Sequence, residues 1–102
     1  MQRTITIPLN CFEEYGIKRG DEVIYDRDVE AVPGELAVLC YEQSKFFGIY
    51  EGRDERGNHI LRYLTGERIH IDPRMGWTRV GRVQGIEHKQ IDAAEGSAAM
   101  GM

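Results

Sequence analysis

A mainly β domain with one short N-terminal helix is the fold class this chain predicts, on three observations. Short runs rich in β-branched and apolar residues recur along it, at 4–9, 35–41 and 77–86. Compact turn signals separate them: Lys18-Arg19-Gly20-Asp21, Pro33-Gly34 and the polar stretch 52–58. The 102 residues, 41% apolar and 29% charged, suffice for one hydrophobic core and no more.

Taken in order, 4–9 alternates as a strand should, with Pro8 near its end, where a missing N–H costs least. Asn10 can cap a short helix, with Glu13 three residues on as in a capping box, and Gly16 can end it. The Lys18–Asp21 turn feeds a strand over 22–25. Pro33-Gly34 presets one backbone angle and supplies a positive one, so a tight turn precedes the strand at 35–41. Residues 45–51 and 59–63 then read as a hairpin around the polar loop 52–58, whose Arg53–Arg56 segment carries both signs and suits a solvated tip. Residues 68–72 alternate as a half-buried strand, and 77–86 is the last long one. After Lys89 the chain turns to Ala, Gly, Ser and Met, which bury little. The expected organisation is one domain over 1–89 and a loose tail over 90–102.

Charge and composition narrow the function classes. A net charge of −4 argues against non-specific nucleic-acid binding, which needs a basic face. No apolar run is long enough to cross a bilayer, and the first residues lack a signal peptide's apolar stretch, so a cytoplasmic location is expected. Cys11 and Cys40 do not make a disulfide framework, and Cys40, between Leu39 and Tyr41, reads as a buried small hydrophobe. His59, His70 and His88 fall on different elements without a metal-ligand spacing, and no phosphate loop or dinucleotide fingerprint is present, so no metal or cofactor is expected. Phe46, Phe47, Tyr50, Tyr63 and Trp77 could line a groove, but the core is the expectation for them, as for most strand aromatics.

The order of signals from Asn10 through Asp21, then Val32-Pro33-Gly34-Glu35, and finally Val80-Gly81-Arg82-Val83-Gln84-Gly85-Ile86 resembles the self-cleaving repressor domain of the LexA type, a serine peptidase related to signal peptidases. In that family a serine stands nine residues before the Gly-Asp turn, and a lysine base lies on the second long strand after it. Laid on this chain without a gap, the serine position falls on Cys11 and the lysine position on Gly48. Gly48 has no side chain, and Lys45, three positions away, points to the opposite face of a strand. The resemblance thus implies a peptidase fold without its catalytic pair, with Cys11 as a small buried residue at a helix start. A thiolate at Cys11, acidified by the helix start, is the alternative that would keep a peptidase acting in trans. The domains of this family dimerise, which implies a homodimer with Trp77, Arg79, Val80, Arg82, Val83 and Ile86 at the interface. It also implies a protein partner, such as a repressor or other regulator.

Residues 4–25, with Ile5-Thr6-Ile7-Pro8 and Gly16-Ile17-Lys18-Arg19-Gly20-Asp21-Glu22-Val23, also resemble the AbrB-type swapped-hairpin domain. That likeness implies DNA binding through Arg3, Lys18 and Arg19. It leaves 29–88 unexplained, whereas the LexA-type likeness spans 4–88.

Overall fold

A computed structural model describes residues 1–8, 13–63 and 65–88. The expectations for Cys11, for the Asn10 cap and for the tail lie outside the described residues. Seven strands form one antiparallel sheet: β1 (Gln2–Thr6), β2 (Glu22–Glu30), β3 (Leu36–Tyr41), β4 (Ser44–Arg53), β5 (His59–Arg62), β6 (Arg68–Ile71) and β7 (Thr78–Glu87). Their order across the sheet is β1-β2-β7-β3-β4-β5-β6. The mainly β expectation is met. The described part of the expected helix is a three-residue 3₁₀ turn, Glu13–Tyr15, followed by Gly16 at φ 76°.

β2 runs five residues beyond the expected 22–25, although 28–30 are exposed. A strand held by backbone pairing does not need a buried face along its whole length. β1 ends before Ile7, which leaves the strand but keeps both its backbone groups satisfied. Its N–H donates to the Asp21 carbonyl at 2.9 Å, and its carbonyl accepts from Gly20 N–H at 2.9 Å.

Contacts divide the chain into two units: Met1–Arg3 with Tyr25–Gln84, and Thr4–Ile24 with Gly85–Met102. In the second, Lys18–Asp21 closes a turn through Asp21 N–H to the Lys18 carbonyl at 3.0 Å, with Gly20 at φ 91° in the position that requires a positive angle. Ile7, Ile17 and Val23 are buried there, together with the Asp21 carboxylate. That carboxylate accepts from Lys18 N–H at 2.9 Å and is joined to His88 Nδ1 at 2.8 Å.

In the first unit, β3 is the central strand, with Ala37, Val38, Leu39 and Cys40 all buried, so both of its faces are covered. Ala37 and Leu39 pack with Ala31, Tyr50, Leu61 and Val80. On the alternate positions Cys40 is a free, buried thiol 4.0 Å from the Tyr25 hydroxyl. Burial, helped by that thiol, pushes the Tyr25 phenol up to about 12. The Val32–Glu35 turn forms as expected, with Glu35 N–H on the Val32 carbonyl at 3.1 Å and Gly34 at φ 96°. In the β4–β5 hairpin the register shifts between Tyr50 and Gly52, so that Glu51 is an extra residue bulging from the ladder. The bulge sets Arg53 directly opposite His59.

Candidate functional site

Position 48 is where the resemblance to a peptidase is most exposed to geometry. Gly48 pairs with Ala37 on one side, and on the other it lies against β5. A Cβ built on it would stand 2.5 Å from the Arg62 carbonyl oxygen, 3.1 Å from the Arg62 carbonyl carbon and 3.2 Å from Leu61 Cγ. Two of these atoms are backbone held in the β4–β5 ladder, so they cannot swing aside as a flexible side chain would. The position of the expected base is therefore closed to any side chain. Lys45 is exposed near the start of β4, opposite Cys40 in the register.

A cleft of about 650 Å³, within the size range of small-ligand sites, opens in the first unit. Three arginines line it, Arg27 from β2, Arg53 from the end of β4 and Arg79 from β7, together with His59 and Trp77. Trp77, the only tryptophan in the chain, is 41% exposed. The guanidinium carbons of Arg27 and Arg79 lie 5.1 Å and 5.2 Å from its ring centroid, so the indole holds two cations by its negative face. The expectation that Trp77 packs in the core is corrected by this exposure. Phe46 and Tyr63, half buried, do pack against the core, and Tyr50 belongs to it.

Trp77 is fixed by its backbone. Its N–H donates to the Glu42 carboxylate at 2.6 Å, and its carbonyl accepts from Glu42 N–H at 2.8 Å. Glu42 belongs to the short β3–β4 turn and sits at φ 54°, a left-handed angle that a glutamate rarely takes. The two bonds to Trp77 hold it there. Gly76 completes the arrangement, because a Cβ on it would collide with the Glu42 carboxylate.

Beside the arginines, His59 is buried and its Nδ1 shares a hydrogen bond with the Tyr50 hydroxyl at 2.8 Å. Burial and the neighbouring Arg53 push the His59 imidazole below its usual range, partly offset by Glu30. Burial also raises the Tyr50 phenol, with Glu30 adding to it and Arg53 opposing it. Of the two, His59 lines the cleft, and Tyr50 stands behind it as its hydrogen-bond partner.

Most other described arginines are already spent on carboxylates. Arg62 and Arg68 both pair with Glu51, at 2.7 Å and 2.6 Å; Arg74 pairs with Asp72 at 2.8 Å and Arg82 with Glu35 at 2.9 Å. Among the described residues Arg27, Arg53 and Arg79 form no ion pair. Asp28 and Glu30 share the cleft wall, and Asp28 is itself joined to the Met1 ammonium at 3.1 Å.

The remaining expected site residues fall in both units, each in its own surroundings. Of the interface set, Trp77, Arg79 and Arg82 are exposed and Val83 and Ile86 are half buried. Val80 is 4% exposed and lies in the core opposite Leu39, so it offers no surface. Arg3, Lys18 and Arg19 are exposed, Arg3 in the first unit and the other two in the second. The histidines have separate partners: Tyr50 for His59, Asp54 for His70 at 2.9 Å and Asp21 for His88. At the tip of the β4–β5 hairpin, Asp54 does more than face solvent. It accepts from the N–H groups of Arg56 and Asn58 and from His70, which together hold its carboxyl at about 2.

Sequence reasoning missed Arg27, Arg53, His59 and Glu42 as neighbours of Trp77. The gap of two residues between β3 and β4, with no glycine in it, is the signal that could have exposed Glu42, since so tight a hairpin needs a positive φ. No family model matches the chain, and no curated protein matches it. Among the described residues, no helix is long and apolar enough to cross a membrane.

Proposed function

We propose that this chain is a non-catalytic interaction module, cytoplasmic and regulatory, which recognises a protein partner through the Trp77 cleft. The observation that carries the reading is the exposed Trp77 clamped between Arg27 and Arg79, two residue types that dominate binding energy at interfaces. The Trp77 backbone is held by Glu42 and its ring lies against both guanidiniums, which lowers the side-chain entropy still to be lost on binding. The closed position at Gly48 supports the same reading, since a Ser–Lys or Cys–Lys peptidase needs a side chain there. The likeness to LexA-type domains makes a repressor or another regulator the expected partner, and self-association a further property of the module.

The test is affinity capture by the full chain from lysate of its own cells, split into nuclease-treated and untreated halves, in parallel with Trp77→Ala. The expected result is one protein enriched stoichiometrically, surviving nuclease and lost with Trp77→Ala. Recovery of DNA, with protein partners lost after nuclease, overturns the reading in favour of DNA binding through Arg3, Lys18 and Arg19. Rapid modification of Cys11 by iodoacetamide, coupled to peptide cleavage, overturns it in favour of a thiol peptidase.

A further inference from the structure

The chemistry of the cleft specifies what such a partner must carry. We infer that the Arg27–Trp77–Arg79 cleft binds a short acidic segment of a protein, in which spaced carboxylates flank an apolar side chain. The inference rests on the interaction-module reading and adds the class of sequence recognised.

The first reason is the state of the guanidiniums. An arginine lying against an aromatic ring keeps its in-plane N–H groups directed outward, and that edge matches a carboxylate with two parallel hydrogen bonds. Arg27 has no ion pair among the described residues, and Arg79 uses one nitrogen on the Thr78 carbonyl at 3.0 Å, so both retain donors. The other cleft arginine, Arg53, stands opposite His59 and turns toward Tyr50, which leaves the Trp77 pair as the receptor for anions.

The second reason separates a peptide from a nucleic acid. A single strand is held by bases stacked on open aromatic faces and by a track of phosphates. Here the one exposed indole is already engaged by two guanidiniums, and Asp28 and Glu30 stand in the same cleft wall. Those two carboxylates repel closely spaced phosphates, whereas a peptide can set its own carboxylates on Arg27 and Arg79 and keep clear of them. The third reason is apolar. Pro73 lines the cleft beside the 41% exposed Trp77 ring, so an aliphatic side chain between the carboxylates has a surface to cover.

Trp77 is its own reporter, because the chain contains no other tryptophan. The full-length protein is titrated with a blocked eight-residue peptide of alternating glutamate and leucine, with a lysine–leucine peptide of equal length, and with octathymidylate, while Trp77 fluorescence is followed. A saturable change with the acidic peptide alone is expected. It should weaken about tenfold for each lost bidentate contact in Arg27→Gln and Arg79→Gln, corresponding to ~1.4 kcal/mol. It should also weaken at high salt, a measurement on the wild type that does not depend on the variants folding. No saturable change, or tighter binding of octathymidylate, overturns the inference. Failure here is distinguishable from failure of the interaction-module reading. A partner captured equally by wild type and by the Arg27→Gln/Arg79→Gln double variant leaves the module standing and removes the acidic-segment rule.

Discussion

Adding a side chain at position 48 tests whether the space there is closed to the lysine that the resemblance would place in it. Gly48→Ala is the informative variant, because it adds only the Cβ whose surroundings are known. That atom would lie 2.5 Å from the Arg62 carbonyl oxygen and 3.1 Å from its carbon. Relief requires β4 and β5 to separate where Ile49 pairs with Arg62 and Tyr50 with Leu61. Overpacking of this kind costs about 1–3 kcal/mol, and each ladder bond that stretches open adds about 1 kcal/mol. Replacing a strand glycine by alanine returns about 0.5–1 kcal/mol of chain entropy. The balance is a net loss of about 1–3 kcal/mol, against a typical stability of about 5–15 kcal/mol. With a urea slope of about 1–3 kcal/mol per molar, the unfolding midpoint should fall by roughly 1 M. Gly48→Lys should fall further, because its ammonium enters at a buried position. Gly85→Ala is the control: the nearest atom to its Cβ is Ile24 Cδ1 at 4.0 Å, so it should be neutral or slightly stabilising. A Gly48→Ala midpoint equal to that of wild type would refute the reasoning, for it would show that β5 yields and that a lysine could be housed there.

Three further outcomes follow from buried groups. His59 is held below the ordinary histidine range, so as pH falls through that range the unfolded chain takes up a proton before the folded one does; stability should therefore drop on acidification, and thermal melts of His59→Gln should lose that part of the slope. Asp21→Ala strips the acceptor from Lys18 N–H inside a buried turn and should cost about 1–3 kcal/mol in chemical denaturation, while Asp21→Asn, which keeps an acceptor, should cost less. Cys40, 3% exposed, should react with a thiol reagent far more slowly in the folded protein than in denaturant, and equal rates would show that β3 opens readily.

The sequence made the frame of the fold legible because turn chemistry is local. Pro33-Gly34 and Gly20-Asp21 each dictate backbone angles that the structure adopts, and between such fixed points a period-two pattern leaves little choice. Cys40 was legible for a similar reason, lying within an unbroken apolar run that only a strand covered on both faces accommodates. The cleft was not legible, because its parts are far apart in sequence. Arg27 and Arg79 meet at Trp77 only through the neighbouring places of β2 and β7, an arrangement that no window of local residues encodes. Arg53 faces His59 only because of the bulge at Glu51, which a reading of alternation passes over. For Trp77 the core expectation failed, because aromatic residues on strands are usually buried, whereas its place in the interface set fits its exposure. Here the Glu42 turn fixes its backbone at the strand entry, so the ring stays where the arginines can cover it.

These two places in the first unit bear on function in opposite senses. At Gly48 the neighbouring strand lies so close that an added Cβ would clash with its backbone, and the buried surroundings favour packing alone. At Trp77 a large apolar ring is left 41% exposed, next to a Glu42 held at a left-handed angle. A sheet maintained for stability alone would favour the opposite choice at both the turn and the ring. A left-handed Glu42, a partly exposed indole and two guanidiniums without ion pairs among the described residues converge on one cleft, which is what the proposed binding role would require. Replacing Glu42 by glycine separates binding from folding: the angle becomes unstrained, so the fold should hold or gain stability, while Trp77 loses its carboxylate anchor. If binding of the acidic peptide weakens in Glu42→Gly as stability holds, the strain serves recognition. If stability falls and binding is unchanged, Glu42 serves the hairpin, and the positioning of Trp77 has another source.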